Sequence, residues 1–376
     1  MKPHKAIGLM SGSSLDGLDI AYTEFGKENG EWQYNLLIGE TISYPNEWQN
    51  ILKNIRNYED DKLQKLHIRY GNYLGEQVNR FIKKHSLKPN IVASHGHTVF
   101  HNPAEGYTFQ LGDGQTIANI TNIITVADFR SKDISLGGQG APLVPIGDEL
   151  LFGNYIACIN LGGIANISFK NKKKRVAYDM CPVNQLLNYL SEKVGLEFDE
   201  GGRLASKGQI INELYENLSN DEYYYKPFPK SLSNEYIAEK FIPIINQATG
   251  KIEDKLYTTT LHIVDEIYKA ISLIELPEPL FRAPIMHRNL RRVAGEILIT
   301  GGGAKNEFLI KELNKITPYN LVIPEPKLID FKEALIFAFM GSLKVNGEIN
   351  CLSSATGASK DSGSGTIFQV KKPPLK

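Results

Sequence analysis

Cysteine is scarce in this chain: three in 376 residues, at Cys158, Cys181 and Cys351. Their odd number and wide spacing supply neither a disulfide framework nor a metal-ligand pattern, and a reducing, cytoplasmic setting fits them. Net charge is missing too, because 42 Lys plus Arg offset 42 Asp plus Glu. That balance argues against a general nucleic-acid or membrane-surface binder. No apolar run approaches the roughly 20 residues of a membrane span. The short run that follows Lys2 and Lys5 stops at Met10, too soon for a signal peptide. Two nucleotide fingerprints are absent. No G-x-x-x-x-G-K-[ST] occurs, which argues against a P-loop NTPase. No G-x-G-x-x-G follows a strand, since Gly301, Gly302 and Gly303 run into Ala304, Lys305 and Asn306, which argues against a Rossmann oxidoreductase.

What the chain does have is three glycine-rich turns far apart: MSGSSLDGLD from Met10, NLGGIAN from Asn160 and TGGGAKN from Thr300. Each follows a short apolar run that reads as a buried strand, and each reads as a strand-to-helix turn. Glycine lets backbone approach a ligand closely, and consecutive N–H groups can cradle phosphate oxygens. The length suits two domains. A long-period echo supports that division. Strand, glycine turn, strand, strand and helix follow residue 5 and again residue 155. The expected architecture is a duplicated α/β core with a cleft between the halves. Residues 1–127 plus about 355–376 form one expected lobe, and residues 128–354 the other. Helices are expected over Asp61–Ser86, with apolar residues at Leu63, Leu66, Ile68, Tyr70, Leu74, Val78 and Ile82, over Lys255–Ile274, and over Phe331–Val345. Short strands are expected at Leu36–Tyr44 and Ile91–Ser94. Lys170–Arg175 reads as a solvated hairpin turn, 277–294 as an irregular insertion, and the Ser- and Gly-rich tail from Ser353 ends in a frayed KKPPLK.

Several residues could carry chemistry. Asp179 closes an expected strand, where open α/β sheets place catalytic groups, and could act as a general base. By spacing alone, a helix N-cap is the simpler role. Asp16 and Asp19 could hold Mg²⁺ through water, or merely stabilise the turn. His95, His97 and His101 suggest a metal site. Without a fourth ligand at useful spacing, substrate or structural hydrogen bonding is the better reading. Arg130 suits a carboxylate or phosphate, the alternative being an internal pair with Asp133. Glu333 opens the apolar run EALIFAFM, as a helix first-turn charge or a substrate ligand.

Taken in order, MSGSSLDGLD, SHGHTVFH, QLGDGQTIAN, VADFRSKDISLGGQGAPLVP, NLGGIANIS, FDEGGRLASKG, PKS at Pro229–Ser231, ITGGGAKN and SSATGASKD resemble the anhydro-N-acetylmuramic acid kinases over nearly the whole chain. That family belongs to the sugar kinase, Hsp70 and actin superfamily, which implies a duplicated ribonuclease H-like core. The resemblance implies that ATP and water convert 1,6-anhydro-N-acetylmuramic acid to N-acetylmuramic acid 6-phosphate, a step in peptidoglycan recycling. It implies Mg²⁺ as cofactor, no nucleic-acid or membrane partner, and a homodimer. It places the catalytic base at Asp179. Nucleotide binding falls on Gly12, Ser13, Ser14, Leu15, Asp16, Gly17, Leu18 and Asp19, on Asn160, Gly162 and Gly163, and on Gly301, Gly302 and Gly303. Sugar contacts fall on Arg130, Glu333, His97 and Asn184. One departure stands out. The family commonly has Thr-Gly-Pro-Gly-Asn after the catalytic Asp, and this chain has Met180, Cys181, Pro182, Val183 and Asn184. Two glycines are lost, which implies a less close approach of backbone to substrate. Lineage variation accounts for this, the alternatives being altered substrate range or weak activity. Two other functions stay open: another amino-sugar kinase of the same fold, and a non-catalytic nucleotide or sugar sensor.

Overall fold

The computed structural model describes residues 4–12, 15, 17–274 and 295–371. Expectations about Ser13, Ser14, Asp16, the 277–294 insertion and residues 372–376 of the tail lie outside the described residues.

The chain forms two compact units, Met1–Phe152 with Phe331–Lys376, and Gly153–Asp330. These bounds differ from the expected 127/128 and 354/355, and side-chain contacts give the reason. The 128–152 segment is fastened to the C-terminal part of its own unit. Asp133 Oδ1 accepts from Thr356 Oγ1 at 2.7 Å and from the Cys351 thiol at 3.2 Å. Asp148 pairs with Lys332 at 2.8 Å, both nearly fully buried.

In the first unit β1 (His4–Ser11), β2 (Leu18–Glu28) and β3 (Glu31–Ile42) form an antiparallel meander. On the other side of β1 lie β4 (Ile91–Asn102) and β6 (Ile124–Ala127), both parallel to it in sense. β5 (Tyr107–Leu111) pairs with the outer half of β4. The second unit repeats the plan. β7 (Ala157–Leu161), β8 (Ile164–Asn171) and β9 (Lys174–Pro182) make the meander, and β10 (Glu296–Thr300) and β11 (Asn320–Val322) continue the sheet in parallel. The orders β3-β2-β1-β4-β6 and β9-β8-β7-β10-β11 are the same topology twice. This is the duplicated α/β core that the long-period echo implied, with the ribonuclease H-like strand order that the resemblance implied.

Several local expectations change. The first two glycine turns join strand to strand in a hairpin, and only the third leads into a helix, Glu307–Ile316. β3 starts earlier than expected because Asn29 and Gly30 take positive φ of 52° and 88°, a two-residue hairpin turn. β4 continues through HGHTVFH because β5 pairs with it there. The basic run does form a hairpin turn, with Lys172 and Lys173 at φ 45° and 70°. The tail is no fringe. β12 (Thr366–Phe368) pairs with β6 and closes the edge of the first sheet.

Helix Asp60–His85 buries Leu63, Leu66, Tyr70, Leu74, Val78 and Phe81, a stripe spaced at three and four residues. Ile68, also apolar, lies off that stripe and is 53% exposed. Helix Pro326–Val345 begins in the second unit, and its run Ala334–Met340 is buried in the first. It packs so tightly on β1 that a Cβ on Gly8 would stand 1.8 Å from the Ala334 carbonyl oxygen.

Candidate active site

In the first unit the glycine turn hangs from Ser11, the last residue of β1. Ser11 Oγ accepts from Tyr44 Oη at 2.7 Å and lies 3.0 Å from His97 Nδ1, with Tyr70 Oη at 3.2 Å. All four are buried. The direction of the Ser11–His97 bond follows the tautomer of the histidine ring. Burial, helped by Arg56, pushes His97 down to about 4, so the ring is neutral. His97 was expected to contact substrate. In the structure it makes a buried bond to Ser11 at the start of the first turn. Asp19 lies in β2, opposite Met10, and accepts from Thr41 Oγ1 at 2.6 Å.

Arg130 donates to the Gly140 carbonyl at 2.6 Å and to His95 Nε2 at 2.7 Å. Arginine can only donate, so His95 carries its proton on Nδ1 and donates it to the Gly96 carbonyl at 2.9 Å. Burial first, then Arg130, holds His95 well below the usual histidine range. Burial also lowers Arg130 to about 10, and Glu333 acts against that shift. The alternative, an Arg130–Asp133 pair, is not formed among the described residues. Asp133 Oδ2 accepts from the Gly140 N–H at 2.8 Å instead and fixes the loop that Arg130 reaches. Burial raises the Glu333 carboxyl, with Asp19 adding to the effect and Lys332 and Arg130 opposing it. Glu333 is thus near enough to both Asp19 and Arg130 for charge to act between them, and His95 is bonded to Arg130. Among the described residues no three His, Cys, Asp or Glu groups converge as a metal site, so His95, His97 and His101 do not gather round an ion.

In the second unit the other two turns meet. Thr300 of β10 is in register with Asn160 of β7. Gly301 has φ +81°, and a Cβ there would fall 2.6 Å from Asn160 Oδ1 and 2.8 Å from the Leu161 backbone. Only glycine fits that position. Asn184, expected to contact sugar, donates from Nδ2 to the Leu161 carbonyl at 3.1 Å and lies beside Gly302 and Gly303. The N–H groups of Val183 and Gln185 donate to the Gly163 carbonyl, and that of Asn184 to Gly162. The start of helix Asn184–Glu192 is therefore committed to the second turn.

Asp179 stands at an irregularity in β9, where the pairing with β8 shifts register at Met180. It caps no helix, so the simpler expectation fails. Its Oδ2 accepts from the Leu232 N–H at 2.9 Å, and no partner reaches Oδ1 among the described residues. Burial raises its pKa to about 6, with the Leu232 N–H pulling the other way. That value suits a base working near neutrality. The departure next to it is internal. Met180, Cys181 and Val183 are at most 3% exposed and join the apolar core of this unit. Cys181 and Val183, where the resemblance implies glycine, are buried in that core. A cavity of about 490 Å³ behind this strand is lined by Tyr178, Met180, Tyr224, Phe228, Lys230 and Glu266, and Asp179 is not part of its wall.

Sequence reasoning missed His95 as the partner of Arg130, and Tyr223 and Leu232 as partners of Asp179. The PKS block at 229–231 was the available signal for the last two.

The model of the family "Anhydro-N-acetylmuramic acid kinase" matches residues 4–370. The chain belongs to the anhydro-N-acetylmuramic acid kinase family. A relative of that name from Haemophilus influenzae is 32% identical, over 98% of this chain and 98% of its own. Another from Sulfurovum is 31% identical over 98% and 100%, and one from Aliivibrio fischeri 32% over 97% and 99%. No helix among the described residues is long and apolar enough to cross a membrane.

Proposed function

We propose that this family member couples ATP to the opening of 1,6-anhydro-N-acetylmuramic acid, with N-acetylmuramic acid 6-phosphate and ADP as products. The match over residues 4–370 carries this reading. In the proposed reaction water attacks the anomeric carbon and the C1–O6 bond breaks. Its electrons stay on O6, which forms the new bond to the γ-phosphorus as ADP leaves. Asp179 Oδ1 takes one proton from the attacking water and later releases it to solvent. With a pKa of about 6, Asp179 is ionised and ready for that proton at neutral pH.

Gly12–Asp19, Asn160, Gly162–Gly163 and Gly301–Gly303 are assigned to the nucleotide. What supports this is the close packing of the third turn on the second at Gly301, whose positive φ and missing Cβ let Asn160 and Leu161 approach, and glycine turns of this kind can present consecutive N–H groups to phosphate. Arg130 and Glu333 are assigned to the sugar, His97 to holding Ser11 under the first turn, and Asn184 to holding the second and third turns together. The oxygen donors at Asp19 and on phosphate are the kind that Mg²⁺ accepts, and the bound ion would neutralise phosphate charge. A cytoplasmic location and a homodimer belong to the same reading; a monomeric sedimentation coefficient at assay concentration would remove the dimer.

Mass spectrometry of a reaction with ATP, Mg²⁺ and the anhydro sugar tests the proposal. The expected product is heavier than the substrate by one phosphoryl group and one water. Phosphorylation without added water would favour another amino-sugar kinase.

A further inference from the structure

One stretch of chain, residues 223–232, grips Asp179 by its backbone and its carboxylate. Tyr223 Oη donates to the Asp179 carbonyl oxygen at 2.6 Å. The Asp179 N–H donates to the Lys230 carbonyl at 3.0 Å, and the Leu232 N–H donates to Oδ2. Lys230 closes the stretch on itself, its Nζ donating to the Tyr223 and Tyr224 carbonyls at 3.1 and 3.3 Å. That ammonium also lies 4.5 Å from the centre of the Tyr223 ring. Tyr223 is only 2% exposed, so its hydroxyl bond is made away from bulk water.

The grip matters because the ladder is irregular at this point. β9 shifts register against β8 at Met180, so the sheet alone does not fix the rotation of Asp179. Irregularities of this kind re-aim a side chain, and here the 223–232 strap holds the new aim. With the N–H, the carbonyl and Oδ2 all engaged, Oδ1 is the oxygen left to accept a proton.

We propose that Tyr223 is a positioning residue for the reaction, and that the 223–232 strap selects Oδ1 of Asp179 as the basic atom. This rests on the reading of Asp179 as the base.

The test compares wild type, Tyr223→Phe, Tyr236→Phe and Leu232→Pro in the full chain. Tyr236 Oη donates to Asp221 Oδ1 at 2.8 Å, so its variant loses a similar bond nearby without touching Asp179. Tyr223→Phe is expected to lower kcat about 10- to 100-fold with KM within about twofold, the signature of a displaced group. Tyr236→Phe is expected to leave both near wild type. Equal losses in the two Phe variants, or an unchanged kcat in Tyr223→Phe, would overturn the proposal. A second readout needs no turnover: titration of the Asp179 carboxyl by carbon NMR. Leu232→Pro removes the donor to Oδ2 and is expected to move that titration to higher pH; a folded variant with an unmoved titration would overturn the strap. If wild type fails to phosphorylate the anhydro sugar, the functional reading falls, and the titration alone still decides the strap.

Discussion

Asp179 has one carboxylate oxygen engaged by Leu232, and burial raises its pKa to about 6. Three consequences can be measured. Asp179→Asn is expected to lower kcat/KM by about 10²- to 10⁴-fold, the range of a general base. In wild type kcat/KM is expected to rise with pH through about 6 and level off above it. The third concerns stability. A carboxyl whose folded pKa lies above its ordinary value costs stability once it ionises, a cost fully present above about pH 6 and relieved as pH falls through 6 toward 3.8. Asp179→Asn keeps an oxygen for Leu232 and sheds the charge, so its Tm at pH 8 is expected to equal or exceed that of wild type; a clear drop would contradict the account. His262 has the opposite sign. It is buried between Ser219 and Tyr224, and burial holds it at about 3. The unfolded chain takes a proton there near 6.5 and the folded chain does not, so this contribution is lost as pH falls below 6.5. The stability gap between wild type and His262→Gln, read from urea melts, is expected to narrow between pH 7 and pH 4.

At the scale of elements, glycine turns and hairpins decide the geometry. Gly301→Ala forces a Cβ against Asn160 and Leu161 at φ +81°. It is expected to cost about 1–3 kcal/mol in urea unfolding and to weaken ATP binding by calorimetry; wild-type affinity would take Gly301 out of the nucleotide site. The β8–β9 turn offers the reverse experiment. Lys172 and Lys173 hold positive φ that Asn and Gly adopt readily. Replacing the pair by Asn-Gly is expected to raise stability by about 1 kcal/mol, and an unchanged denaturation midpoint would refute that. Helix faces were legible because burial follows spacing: Leu63, Leu66, Tyr70, Leu74 and Val78 all point inward. The length of β4 was not, because HGHTVFH becomes strand only when β5, after an intervening turn, pairs with it. Asn29–Gly30 was a readable hairpin signal that went unused.

For the whole molecule, the duplicated core was visible as a repeat of strand, glycine turn, strand, strand and helix, since both halves build one sheet order. The unit boundaries were not, because Asp133 and Asp148 fasten the 128–152 segment to residues nearly two hundred positions away or more. Motifs singled out Asp179, Arg130 and the glycines as candidates, because the signal for them is local. Partners such as His95, Tyr223 and Leu232 are defined by tertiary contact, and no spacing announces them. The central claim is that Asp179 directs water onto the anomeric carbon while the freed oxygen takes phosphate. Its most direct test is mass spectrometry of the sugar product formed from ATP, Mg²⁺ and 1,6-anhydro-N-acetylmuramic acid in water enriched in heavy oxygen, with Asp179→Asn alongside. The account predicts one phosphoryl group and one heavy oxygen on the sugar carbon rather than on phosphorus, with the product lost in the variant. Heavy oxygen in free phosphate, or full activity without the Asp179 carboxylate, would contradict it.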